Sequence, residues 1–261
     1  MRILTSTIII GITALFVACS DISEDERLQY IAPATVNRAV LIEDFTGQRC
    51  VNCPAAHETI ARLHEQYGSE QVIAVSIHGG ALAVNSTPTI TGLRTPLGDE
   101  YNQYWGVESW PSGIINRQSG IITHDLWAAS VYEEIQKPTT VSLNAVARYD
   151  AATATATVEV DALSTAAFTG KLQVWLTEDN IVAPQQMADG SMNRDYVHQH
   201  VLRAAVNGSW GSDLSLTANE QQHETYSIAV ADNWQASALS FVVFAYNADG
   251  VAQVTSTSVS N

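Results

Sequence analysis

Three consecutive stretches set the strongest limit on what this chain can fold into. They are an apolar run, RAVLIEDF (38–45), a helical run, PAAHETIARLHEQYG (54–68), and a second apolar run, QVIAVSIH (71–78), with CVNC at the first joint. Short apolar runs of this kind read as buried strands. In the middle stretch Pro54 suits a first helical turn, Ile60, Leu63 and Tyr67 share a face, and Gly68 suits the stop. A strand, a helix and a strand at this spacing imply a parallel pair joined by a crossover. The first strand then ends at Phe45, a loop carries Thr46 to Arg49, and Cys50 and Cys53 fall at the start of the helix.

That position has chemical consequences. Free backbone N–H groups and the positive end of the helix dipole favour a thiolate there, and such surroundings lower a cysteine pKa from its usual value of roughly 8.5. Two intervening residues allow reversible closure of a disulfide over one turn. Three uses of the pair follow: a redox centre, a permanent bridge, or a soft-metal site completed by His57, four residues after Cys53. His57 is expected on the helix surface without a metal role, and neither metal nor cofactor is assigned. Pro54 stands where haem attachment needs a histidine.

Beyond residue 78 the texture is looser. Glycine and proline punctuate residues 79–108, with GDEYNQYW a candidate short helix. SWPSGIINRQSGIITHD reads as a hairpin turning at Gln118–Gly120, and residues 124–137 read as a closing helix. After Pro138, Val141, Leu143, Ala145, Ala147 and Tyr149 fall at every second position, and further period-2 runs follow. Regular short strands with turn signals predict an antiparallel sandwich. His198 and His200 form an H-x-H expected on one solvated strand face.

The N-terminus, MRILTSTIIIGITALFVAC, has one basic residue and then an uncharged, mostly apolar run, which reads as an export signal over residues 1–18. Residues 19–36 read as a tether, residues 37–138 as the first domain and residues 139–261 as the second. The chain carries a net charge of −15, which disfavours nucleic acid and anionic headgroups as partners. Beyond the signal boundary at Cys19, Cys50 and Cys53 are the other two of three cysteines, in a compartment where disulfides persist.

Several of these segments carry resemblances. FVAC resembles the lipobox of bacterial lipoproteins, which implies lipidation of Cys19 and attachment to the outer membrane. DFTGQRCVNC resembles the thioredoxin pattern. That resemblance implies that Asp44 relays the proton of the second cysteine, that Pro111 in SWPSGIIN is the cis-proline packed beside the pair, and that the backbone of Trp110 meets a bound peptide. Alternation would point Glu43 to the opposite face. Together, DFTGQRCVNCPAAH, GLRTPLGDEYNQYWG, WPSGIINR and VHQHVLRAAVNGSWG resemble the outer-membrane lipoprotein family named for a twenty-eight-kilodalton outer-membrane protein. The resemblance implies an α/β thioredoxin-like domain followed by an all-β immunoglobulin-like sandwich. The expected activity is thiol–disulfide exchange on exported proteins or peptides. The alternative is a surface binding or adhesion lipoprotein, in which the bridge is structural and the sandwich holds the ligand.

Overall fold

The computed structural model describes residues 37–260; the export signal, Cys19 and the tether lie outside them. The described chain is mostly β-sheet with a few helices. In order it runs β1 (Val40–Thr46), α1 (Cys53–Tyr67), β2 (Val72–His78), α2 (Pro96–Trp105), β3 (Ser112–Ile115), β4 (Gln118–Thr123) and α3 (Trp127–Ile135). Then come strands alone: β5 (Val141–Asp150), β6 (Thr155–Ser164), β7 (Phe168–Glu178), β8 (Ile181–Gln186), β9 (Met192–His198), β10 (Val201–Ala205), β11 (Ser212–Leu216), β12 (Gln222–Ala229), β13 (Leu239–Asn247) and β14 (Gly250–Ser258).

β1 and β2 are parallel in the register Val40↔Val72 to Thr46↔His78, with α1 as the crossover. β3 is antiparallel to β1, with Asp44 opposite Gly113 and Phe45 opposite Ser112. The hairpin turns at Asn116 and Arg117, both left-handed (φ 49° and 55°), two residues earlier than Gln118–Gly120. The side chains explain the shift. Asn116 accepts from the Leu41 N–H at 2.8 Å and donates to Glu134 at 2.9 Å, while Arg117 Nε donates to Glu43 at 2.7 Å. Long-range partners hold two residues that would not choose this backbone unaided. The closing helix also starts later than residue 124, because His124–Leu126 form a 3-10 turn before α3.

A single sheet in the order β14-β13-β7-β10-β2-β1-β3-β4, with β11 on β7, carries strands from both sides of Pro138. Its junction is narrow: β10 meets β2 in parallel at Val201↔Ser76. Three large cores flank it. Val40 and Ile42 pack with Ala56, Ile60 and Leu63 of α1 and Trp127 of α3. Leu41 and Phe45 point the other way, into a core with Trp175 and Phe244. The three-stranded sheet β12-β6-β5 covers β7 and β13 across a third core that includes Val141, Val158, Val174 and Phe241. The alternation in β5 is therefore real, and Leu143, Ala145, Ala147 and Tyr149 all turn toward this core.

Candidate active site

The first residue to place is Asp44. Even-numbered residues of β1 face α1, because successive side chains on a strand alternate. Asp44 thus lies beneath the helix and is wholly buried. Glu43 faces the opposite core, where Arg117 pairs with it and is ringed by aromatic faces, the nearest being Tyr246 at 4.3 Å from the guanidinium carbon. The two acids thus occupy opposite environments. Asp44 lacks a lysine or arginine partner among the described residues. It accepts from the Ser76 hydroxyl at 3.3 Å on one oxygen, and its Oδ1 has no hydrogen-bond partner among the described residues. Burial pushes its carboxyl up to about 7, partly offset by the Ser76 bond.

Cys50 and Cys53 form a disulfide at the start of α1. Cys53 is four residues before His57, so the two share a helix face. His57 brings its Nε2 to 3.6 Å from Asp44 Oδ2 and 3.2 Å from Thr46 Oγ1, while its Nδ1 lies 2.8 Å from the Tyr196 hydroxyl of β9. It is therefore not a surface histidine. Burial, then the nearby His198 and His200, lowers its pKa to about 3, so it is neutral.

The bridge itself is covered. Cys50 is 2% exposed and Cys53 0%. The cover is the β8–β9 hairpin and the loop before α2. Gln185, fully buried, donates to the Cys50 carbonyl at 2.9 Å. The Gln186 N–H donates to the Gln48 carbonyl at 2.8 Å, and the Gln48 amide donates to the carbonyls of Thr91 and Pro184, both at 3.0 Å. On the other side the Arg49 N–H reaches the Leu82 carbonyl at 2.9 Å. A Cβ on Gly47 would meet the Leu82 backbone at 2.6 Å, so this approach requires glycine.

The remaining residues named by the sequence fall close by or turn away. The Trp110–Pro111 peptide is cis. Pro111 is buried and immediately precedes β3, whose Ser112 pairs with Phe45, so it sits at the end of β1 from which the cysteine loop departs. The Trp110 indole turns to Asn102, donating at 3.1 Å. His198 and His200 do not share a solvated face. His198 is buried, its ring near the Ala183 and Pro184 carbonyls without a bond of normal geometry, and its pKa falls to about 4 mainly through burial. His200 adopts φ 57° and pairs with Asp179 at 3.0 Å. Among the described residues no group of three or more His, Cys, Asp or Glu is placed to hold a metal ion.

Ser76, His78, Gln185 and Tyr196 escaped the sequence reading. Ser76 and His78 were findable, since they interrupt an otherwise apolar strand whose parallel register puts Ser76 beside Asp44. Gln185 and Tyr196 gave no signal, because they arrive from strands far along the chain.

A family model for outer membrane protein Omp28 matches residues 98–261. The chain belongs to the Omp28 family. As an Omp28-family protein it is placed in the outer membrane. The matched segment includes the β8–β9 hairpin and Pro111, and begins after Cys50 and Cys53. HBP35 of Porphyromonas gingivalis shares the fold, with a TM-score of 0.67 at 15% identity over 87% of this chain and 76% of that one. A domain of the outer membrane lipoprotein Omp28 from Porphyromonas gingivalis is 23% identical over 47% of this chain and 89% of its own, with a TM-score of 0.33. No curated protein matches the sequence.

Proposed function

We propose that this Omp28-family protein is anchored by lipid at Cys19 and exchanges thiols and disulfides with exported proteins through Cys50 and Cys53. In this reading residues 37–138 form a thioredoxin-like domain and residues 139–261 an immunoglobulin-like sandwich. One observation carries it: Asp44, a carboxyl without a lysine or arginine partner among the described residues, is buried under the helix that bears the cysteines and is pushed up to about 7. A bridge that serves only as a staple has no need of such a group, whose burial opposes folding.

The steps balance without a cofactor. In the reduced protein the Cys50 thiolate attacks a partner disulfide, forming a mixed disulfide and releasing one partner sulfur as thiolate. Cys53 gives its proton to Asp44, and its thiolate attacks Cys50 Sγ. The intramolecular bridge re-forms and the second partner sulfur leaves, so the partner is reduced by two electrons and the protein is oxidised by two. The reverse sequence oxidises a partner dithiol. Pro111 and the Trp110 backbone would flank the incoming chain.

A second reading keeps one specific support. Both cysteines are almost inaccessible under the β8–β9 hairpin, which suits a permanent bridge in a binding lipoprotein whose sandwich holds the ligand. A redox titration of the full chain in detergent separates the two, with alkylation of Cys50 and Cys53 read by mass. A reversible midpoint between roughly −270 and −120 mV is expected for exchange. A midpoint below about −300 mV, or full exchange activity in Cys50→Ser, would remove the redox reading.

A further inference from the structure

Asp44 poses a problem that the exchange steps leave open. A proton that passes to a wholly buried carboxyl must also leave it, and the bridge above is sealed. Beside α1 lies a cavity of about 340 Å³, lined in part by His57, Ser76, Tyr196, His64 and His200. Two of these residues touch Asp44 or come within reach of it: the Ser76 hydroxyl at 3.3 Å and His57 Nε2 at 3.6 Å. The far nitrogen of the same imidazole, Nδ1, is 2.8 Å from the Tyr196 hydroxyl, which also lines the cavity.

We propose that His57, oriented by Tyr196, is the proton exit of Asp44, passing protons between the buried carboxyl and solvent in this cavity. The inference rests on the redox reading of Cys50 and Cys53. Its geometry is that of a relay. The Asp44 contact lies just outside hydrogen-bond distance and closes with a small movement of the ring. A neutral imidazole accepts at one nitrogen while donating from the other, so a proton taken at Nε2 is matched by one released at Nδ1 and no charge accumulates. Net transfer is one proton from Asp44 to cavity water for each Cys53 deprotonation. Burial, then His198 and His200, favours the neutral ring; Thr46 on β1, His78 on β2 and Tyr196 on β9 also face it, and Asp44, when ionised, pulls the other way. His64 and His200, the latter paired with Asp179, stand further along the cavity wall.

The test is stopped-flow reduction and reoxidation of the Cys50–Cys53 bridge in the full chain, in H₂O and D₂O, from pH 5 to 9. His57→Gln and Tyr196→Phe keep the volume and should fold. His57→Gln is expected to slow exchange about tenfold near neutral pH and to shrink the solvent isotope effect, with the midpoint potential unchanged. His57→Gly is expected to recover rate when free imidazole is added. Wild-type rates and pH profile in His57→Gln would overturn the relay. So would slowing that comes with a shifted potential and no imidazole rescue, which marks a structural role. A bridge that no thiol reductant opens in the folded wild type would overturn the redox reading itself, and the relay with it.

Discussion

Asp44 and Glu43 are neighbours in sequence and opposites in energy. Glu43 is paired with Arg117, whose guanidinium lies over aromatic rings, whereas Asp44 is pushed up to about 7 by burial. Removing Arg117 strands a buried carboxylate, so Arg117→Ala is expected to cost about 3–5 kcal/mol of unfolding free energy in a denaturant titration. Removing the charge from Asp44 does the reverse. Asp44→Asn is expected to stabilise the fold by roughly 1–3 kcal/mol at pH 8, while slowing disulfide exchange by roughly 100-fold. A variant that is both less stable and fully active would sink this account of Asp44. The thioredoxin resemblance put Asp44 beneath the cysteines, and strand alternation, which needs only local sequence, sent Glu43 to the opposite face. His57 was misplaced for the opposite reason. Its partner Tyr196 is 139 positions away, and nothing in PAAHETIARLHEQYG tells the helix that a hairpin will cover that face.

Among the elements, the β8–β9 hairpin has most influence on the site. It contributes Gln185 over Cys50, the Gln186 bond to the cysteine loop, and Tyr196 and His198 over α1. Gln185→Ala should loosen the cover by one or two hydrogen bonds, worth about 0.5–1.5 kcal/mol each. We therefore expect dithiothreitol to reduce the bridge about tenfold faster in that variant, with the unfolding free energy lower by about 1–2 kcal/mol. An unchanged rate would mean that the hairpin does not guard the sulfurs. The strand–helix–strand unit was legible from hydrophobic period and from proline and glycine punctuation. The turn at Asn116–Arg117 was not. Gly120 offered the stronger local signal, and tertiary bonds to Leu41, Glu134 and Glu43 overrode it.

Over the whole molecule, the β-rich architecture and the outer-membrane family were readable from strand texture and motif segments. The junction at Val201↔Ser76 was not, because the change of texture at Pro138 hides the hydrogen bonds that join β2 to β10. This junction gathers His57, His78 and His198 into one buried neutral group, with pKa values lowered to about 3, well below 6.5, and about 4 respectively. Unfolding frees each to bind a proton near pH 6.5, so stability is lost as pH falls below that value. Asp44 acts with the opposite sign. Its folded pKa of about 7 exceeds the unfolded 3.8, so its penalty grows as pH rises from about 4 to 7. Three histidines outweigh one carboxyl, and the melting temperature should climb from pH 4 to about 6.5 and then flatten. A melting temperature that falls steadily over that interval would contradict the buried neutral cluster.

The sealed bridge also sets a clock. If no reductant reaches Cys50 until the hairpin parts, reaction must wait for a motion of the protein. At low reductant the observed rate would rise in proportion to concentration. At high reductant it would level off at the opening rate, the same for every reductant whatever its own reactivity. The protein would then ration its partners by how often the gate opens rather than by how well they bind.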